Sequence, residues 1–325
     1  MRAPGLGIVL PIFEGSRDIG PGWSRNGVFR DTLRWRELTD HVSRIEAAGF
    51  DSVWVPDHLL FRWDGEDGPT QGAWDGWSIL AALAAVTTRV ELGTLVLCSA
   101  FRNPALLAKM ADTVDEISGG RLVLGLGAGY HEPEFRAFGY PFDHRGSRFE
   151  EAVTIIATLL REGAVDFEGS YSSGRRCELR PRGPRSGGPP LLLGGGDNPG
   201  ARTVRLAASL ADQWDTWLAF GRSHPDALAP LLEQVDAACA DVDRDPRTLL
   251  LAATVMVVAP GHEPAGGAPG MHPAAGTVDE LTQMFRAFGR LGISRLQLVL
   301  NPFSASAIEA LAPVVRALKA APPDA

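Results

Sequence analysis

The sequence predicts an α/β protein: a (β/α)8 TIM barrel with insertions at the C-terminal face, where the strands end. Eight short apolar runs are interleaved with helical patterns along 325 residues. Most of those runs are apolar throughout rather than alternating, as expected of parallel strands buried on both faces. Length agrees, since barrels of this class run ~250 residues or more as one domain. Residues 1–325 are therefore read as a single barrel domain. A doubly wound open sheet is the alternative that the same alternation allows.

Leu6–Leu10 reads as the first strand, because the apolar run is short and cut by Pro11, unlike a signal segment. Arg34–Ala48 follows with apolar residues at 35, 38, 42, 45 and 48, one face of a helix. Ser52–Val55 is the second strand and Val90–Leu97 the third. Asn103 and Pro104, a cap residue and a first-turn proline, start the helix Ala105–Ile117. Leu122–Leu126 is the fourth strand, with an amphipathic helix over Arg148–Leu160. After the fifth strand, Leu191–Leu193, Asn198 and Pro199 repeat the start signal ahead of a helix over 200–209. Gln213–Trp217 and Leu250–Val258 are the sixth and seventh strands. Thr277 and Glu280 form a capping box for a helix over 278–290. Leu296–Leu300 is the eighth strand, and Ser306 with Glu309 caps a last helix over 306–319.

Three segments exceed a minimal barrel. Arg62–Trp77 is a Gly-, Asp- and Trp-rich loop, Val165–Pro190 a hairpin followed by an Arg/Gly/Pro loop, and Pro260–Gly276 a Gly/Pro/Ala/His loop. Loops of this length in a compact domain are usually functional or disordered. They are expected near the carboxyl-end face, where barrel enzymes keep their sites.

Composition narrows the function. A net charge of −8 carries no basic footprint for nucleic acid. No run approaches the ~18 apolar residues that span a membrane. Cys98, Cys177 and Cys239 are scattered, and the histidines form no HExxH, so no metal site is expected and a reduced, cytoplasmic setting fits. The partner expected is a small-molecule substrate.

Three constellations carry chemistry. Asp57 and His58 end the second strand, at the mouth of a barrel; an imidazole there can move a proton near neutral pH, although Pro-Asp-His also reads as a plain turn. Gly125, Gly127 and Gly129 lie at the end of the fourth strand with the wrong spacing for a Rossmann fingerprint; they suit a flat ring lying against backbone, or simply a tight strand end. Gly194, Gly195 and Gly196 precede a helix start, a geometry that cradles phosphate, with Asp197 a repulsive neighbour and Arg202 a compensating one. Arg175, Arg176, Arg180, Arg182 and Arg185 form a basic cluster able to face an anionic tail or solvent. Trp23, Trp63, Trp74 and Trp77 concentrate in segments expected at the mouth, where aromatic rings line pockets.

The blocks GFDSVWVPDHLL, ELGTLVL, RNP, LAKMADTVDEISGGRLVLGLGAGYHEPEFRAFGYPF and LLLGGG…RTVRLAASLADQWD resemble the bacterial luciferase-like superfamily, and within it oxidoreductases that use the deazaflavin coenzyme F420. The resemblance runs in order over most of the chain and implies a TIM barrel, a cofactor at its carboxyl-end mouth and a homodimer. It implies that Asp57 hydrogen-bonds the cofactor and that His58 sits at the reacting carbon. It puts a non-prolyl cis peptide at Leu95–Val96 behind the ring, and Gly127, Ala128 and Gly129 along it. Gly195, Gly196 and Asp197 would hold the phosphate. Tyr130 stands where the sugar-phosphate dehydrogenase branch has an acid, which points away from that substrate. The same barrel also serves monooxygenases that use reduced FMN and oxygen, and a non-catalytic flavin-binding barrel is the third alternative.

Overall fold

The computed structural model describes residues 3–15, 32–62, 68–195, 200–266 and 270–320. Eight parallel strands close into a barrel. They are β1 (Gly5–Val9), β2 (Ser52–Val55), β3 (Glu91–Thr94), β4 (Leu122–Gly127), β5 (Leu191–Gly195), β6 (Gln213–Trp217), β7 (Leu250–Val257) and β8 (Ile293–Leu300). Each pairs with the next, and β8 returns to β1 with Leu298 opposite Ile8. The expected closed barrel is borne out, and the open sheet is excluded by that last pairing.

The helices are α1 (Trp35–Ala48), α2 (Gly76–Val86), α3 (Pro104–Ser118), α4 (Glu132–Phe138), α5 (Arg145–Glu162), α6 (Ala201–Leu210), α7 (Ala229–Asp241), α8 (Val278–Arg290) and α9 (Ala305–Lys319). Their starts follow local chemistry. Asn103 Oδ1 accepts from Leu106 N at 3.0 Å, and Thr277 and Glu280 form the reciprocal box expected of them. At α9 the cap is Ser304, two residues earlier than expected, accepting from Ala307 N at 3.1 Å. Asn198 and Pro199 lie outside the described residues, and α6 has Gly200 at its N-cap position and so no side-chain cap.

Strand alternation divides the core in two. Leu6, Ile8, Val53, Val55, Leu122 and Leu124 face the helices, while Val9, Trp54, Val123, Leu192, Met256 and Val299 fill the barrel. Trp54 is fully buried because the neighbouring strands carry glycine against its ring. A Cβ at Gly93 would lie 2.1 Å from its ring, and one at Gly7 2.5 Å from its Nε1. That nitrogen donates to Ser52 Oγ at 2.8 Å. Deeper polarity is concentrated around Asp215, which accepts from Thr254 Oγ1 at 3.0 Å. With its amide nitrogen turned towards the acceptors, Gln297 donates to Asp215 Oδ1 at 3.1 Å and to Ala253 O at 2.9 Å. Burial pushes the Asp215 carboxyl up to about 8, with the Thr254 hydrogen bond opposing.

Two hairpins decorate the barrel. After β2, Leu60–Arg62 pairs with Thr70–Gly72, which lies inside the Arg62–Trp77 segment expected to be loop. Ala164–Glu168 pairs with Ser173–Glu178, as expected from the sequence, but it follows α5 and so starts from the amino-end face. The basic cluster is accordingly not at the mouth. Arg185 binds Asp115 and Leu122 O, Arg182 binds Asp112 and Leu160 O, and Arg175 and Arg180 pair with Glu168 and Glu178. Trp77 is also a correction: it is buried against the helix layer as part of α2. Trp74 is partly exposed and donates to Leu33 O at 3.0 Å, while Trp23 and Trp63 lie outside the described residues.

Candidate active site

The carboxyl ends of β2, β3, β4 and β5 are consecutive neighbours in the barrel. That adjacency brings together Asp57 and His58, then Leu95 and Val96, then Gly127, Ala128 and Gly129, then Gly195. Gly196 and Asp197 lie outside the described residues.

The peptide between Leu95 and Val96 is cis, as the resemblance implies. Leu95 is buried in the inner cluster, with Val96 packed at its edge. The glycines around Val96 have a job that spacing alone did not reveal. A Cβ at Gly127 would lie 2.6 Å from Val96 Cγ2, and one at Gly194 3.0 Å from Val96 Cγ1. At Gly125 it would lie 2.0 Å from the carbonyl oxygen of Thr94. These glycines admit Val96 and the β3 backbone to the floor of the mouth. Gly129 sits at φ 73°, a Cβ there would lie 2.6 Å from Phe135 Cζ and 2.7 Å from Cys98 Sγ, and its carbonyl accepts from Arg145 at 2.6 Å.

Asp57 is held from below. Arg102 donates to its Oδ2 at 2.7 Å and its Oδ1 at 3.0 Å, and Cys98 N donates to Oδ2 at 3.0 Å. The direct cofactor contact expected of Asp57 thus meets a carboxylate whose two oxygens are already hydrogen-bonded. Arg102 also reaches Asp75, the N-cap of α2. Burial alone would lower the guanidinium's pKa, but the Asp57 hydrogen bonds and charge, aided by Asp75, raise it instead. Burial, with Asp57 and Glu134 adding to it, pushes the Cys98 thiol up to about 12, so it stays a neutral packing group.

His58 stands at the mouth with its side chain 15% exposed. Its Nδ1 lies 3.0 Å from Oε1 of Glu134, a fully buried carboxylate on α4 that also accepts from Leu59 N at 2.9 Å. The carboxylate orients the ring with Nδ1 as donor, so that Nε2 is the nitrogen turned away from it. Phe13, Phe61 and Tyr130 surround the imidazole at 6.0, 4.2 and 5.5 Å between centroids. His131 accepts from Arg62 N through Nε2 at 3.0 Å, pinning the first hairpin to α4. Burial lowers its pKa, His58 acting the same way and Glu134 opposing, so it stays neutral.

Glu134 is not among the residues that the sequence singles out. The available signal was helical spacing: His131 and Glu134 are three apart at the start of α4 and share a face. Arg102 and Arg145 were missed because their partners lie on other elements.

Over 141 residues the chain is 38% identical to an F420-dependent glucose-6-phosphate dehydrogenase from Amycolatopsis mediterranei, covering 42% of this chain and 41% of that protein. Over 252 residues it is 30% identical to pyrimidine monooxygenase RutA from Stutzerimonas stutzeri, covering 74% of this chain and 65% of that one. The chain thus spans less than two thirds of the length of either. An F420-dependent secondary alcohol dehydrogenase, solved with an F420-acetone adduct, shares the fold at a TM-score of 0.76 and 20% identity, over 98% of this chain and 99% of that one. The model of the luciferase-like monooxygenase family matches residues 6–265, and the chain belongs to that family.

Proposed function

We propose that the protein is an oxidoreductase that uses coenzyme F420 and acts on a small organic molecule. The observation that carries this is the His58–Glu134 pair at the mouth, beside the cis Leu95–Val96 floor. The described residues fit a planar redox cofactor with an anionic tail. The indole Nε1 of Trp217, at the carboxyl end of β6, is buried without a partner, and α6 opens on an uncapped N-terminus. A Cβ at Gly200 there would meet no atom within 4 Å. Backbone N–H groups of that turn, with Gly195, Gly196 and Asp197 before it, would hold the tail. Leu95, Val96, Gly127, Ala128 and Gly129 would back the ring.

When bound, a deazaflavin supplies a hydride donor or acceptor. The chain's own part is to orient and to exclude water. His58 holds or moves the matching proton at Nε2, and Glu134 fixes the tautomer that frees that nitrogen. Asp57, clamped by Arg102, fixes the strand end from which His58 projects.

The similarity to RutA supports a second reading, in which reduced FMN and oxygen replace the deazaflavin. Titrating F420 and FMN against intrinsic Trp fluorescence, then following turnover with and without oxygen, separates the two. Tight FMN binding with oxygen-dependent turnover would reverse the choice; binding of a flavin without turnover of any substrate would favour a non-catalytic barrel.

The chain is also proposed to pair with a second copy of itself in the cytoplasm. α2 is apolar on nearly every side, yet Val86, with Leu106 and Ile117 on the adjoining α3, is half exposed or more. A helix of that composition is normally buried all round. Among the described residues no helix is long and apolar enough to cross a membrane, and the cysteines are free. Sedimentation of wild type at dimer mass, and of Leu106→Glu with Ile117→Glu at monomer mass, tests the pairing.

A further inference from the structure

We infer that Trp217 recognises the ligand. Its indole N–H donates to a carbonyl-type oxygen on a neutral small molecule with an apolar body, bound at the mouth. The inference rests on reading the mouth as the cofactor and substrate site, and adds a residue and a ligand chemistry to it.

Trp217 is the last residue of β6, opposite Thr254 of β7. It lies two positions after Asp215, whose side chain is inside the barrel, so it points inward as well. The ring packs on the inner cluster and meets Phe220 at 5.1 Å and 62°. Its Nε1 is buried and has no acceptor.

Burying an N–H unpaired costs free energy, and native structures rarely do it without a reason. The chain satisfies comparable groups elsewhere: Trp54 Nε1 donates to Ser52 and Trp74 Nε1 to Leu33. Nor can Trp217 readily swing out to water, because the chain that follows it is clamped. Leu218 N donates to Thr254 O at 2.8 Å, and Ser223 Oγ accepts from Met256 N at 2.9 Å. Ser223 N and Gly221 O bond the backbone of His272, knitting the segments after β6 and β7 into one wall. Phe220 and Met271 of that wall pack with Trp217 on the inner cluster.

A single fixed donor in an apolar wall selects a particular chemistry. A neutral acceptor on an apolar body matches it; an anion would be desolvated there with one hydrogen bond to compensate. A ring carbonyl of the cofactor and a carbonyl of the substrate both have this chemistry.

The experiment labels the Trp indoles with 15N and assigns Trp217 by its loss in Trp217→Phe. Should that variant not fold, Phe220→Leu assigns the signal through its shift. Coenzyme F420, FMN, and cyclohexanone added to cofactor-loaded protein are the probes. A shift on adding cofactor alone assigns the donor to the cofactor, and a shift only with cyclohexanone assigns it to the substrate. In either case Trp217→Phe weakens binding of that probe by roughly tenfold. A signal unmoved by all three probes, while a cofactor quenches Trp fluorescence, overturns the inference and leaves the site reading standing. Failure of both cofactors to bind overturns the reading and the inference with it.

Discussion

His58 and Glu134, 76 positions apart in the chain, meet at 3.0 Å between Nδ1 and Oε1. The contact couples the end of β2 to α4, and the same carboxylate accepts from Leu59 N. A buried acid that orients an imidazole is the arrangement expected when the far ring nitrogen handles a proton.

Replacing His58 with Ala should therefore lower turnover by ~10²–10⁴-fold with cofactor affinity retained. Glu134→Gln keeps the shape and removes the charge, and a loss of about tenfold is expected from it. Steady-state turnover beside a cofactor titration measures both. Wild-type turnover in His58→Ala would take His58 out of the chemistry.

The floor of the mouth gives a second prediction. Gly127→Ala puts a methyl 2.6 Å from Val96 Cγ2, whereas Val96 Cβ lies 3.8 Å away. The single change should cost ~1–3 kcal/mol by overpacking. Val96→Ala in the same chain should recover much of that, because the clashing methyl is gone. Denaturant midpoints of the four proteins complete the cycle. Additive losses would mean that Gly127 and Val96 do not share that space.

Much of this fold was legible because its signals are local. The Asn103 cap and the Thr277–Glu280 box depend on residues three apart, and the continuous apolar strands need no partner to be recognised. α2 was not read as an element, because GWSILAALAAV is apolar on nearly all sides and carries no period. The site was legible as positions and less so as contacts. His58 and the Leu95–Val96 bond come from one motif each, but Asp57 finds Arg102 45 positions away. The glycines read as room for a ring turned out to admit Val96, a relation set by strand adjacency that a linear pattern cannot express. Trp217 looked like an ordinary strand residue until its nitrogen was seen to lack an acceptor.

Arg102 supplies the third prediction. Asp57 is fully buried and Arg102 nearly so, with side-chain exposures of 0% and 12%. Arg102→Met leaves a buried carboxylate unpaired and should destabilise the fold by ~3–5 kcal/mol. Arg102→Lys should restore only part, since an ammonium cannot reproduce the two-pronged contact. Combining Arg102→Met with Asp57→Asn should recover most of the loss. Denaturant unfolding reads all three, and an Arg102→Met protein as stable as wild type would show that Asp57 needs no counter-charge.

Asp215 makes stability depend on pH in a direction opposite to that of a salt-bridged acid. Its folded-state pKa of about 8 stands above the ~3.9 of an unfolded aspartate. Between those values the folded chain keeps a proton that the unfolded chain has released. The group's contribution is therefore fully present below the unfolded value and is lost as pH rises, by up to ~1.4 kcal/mol per unit. It levels off once the folded carboxyl also ionises. Asp215→Asn keeps an oxygen for Thr254 Oγ1 and removes the titration. Unfolding free energies of the two proteins should converge towards low pH and diverge in favour of the variant as pH approaches 8. Parallel curves across that range would mean that Asp215 is ionised inside the barrel, stabilised there by Thr254 and Gln297.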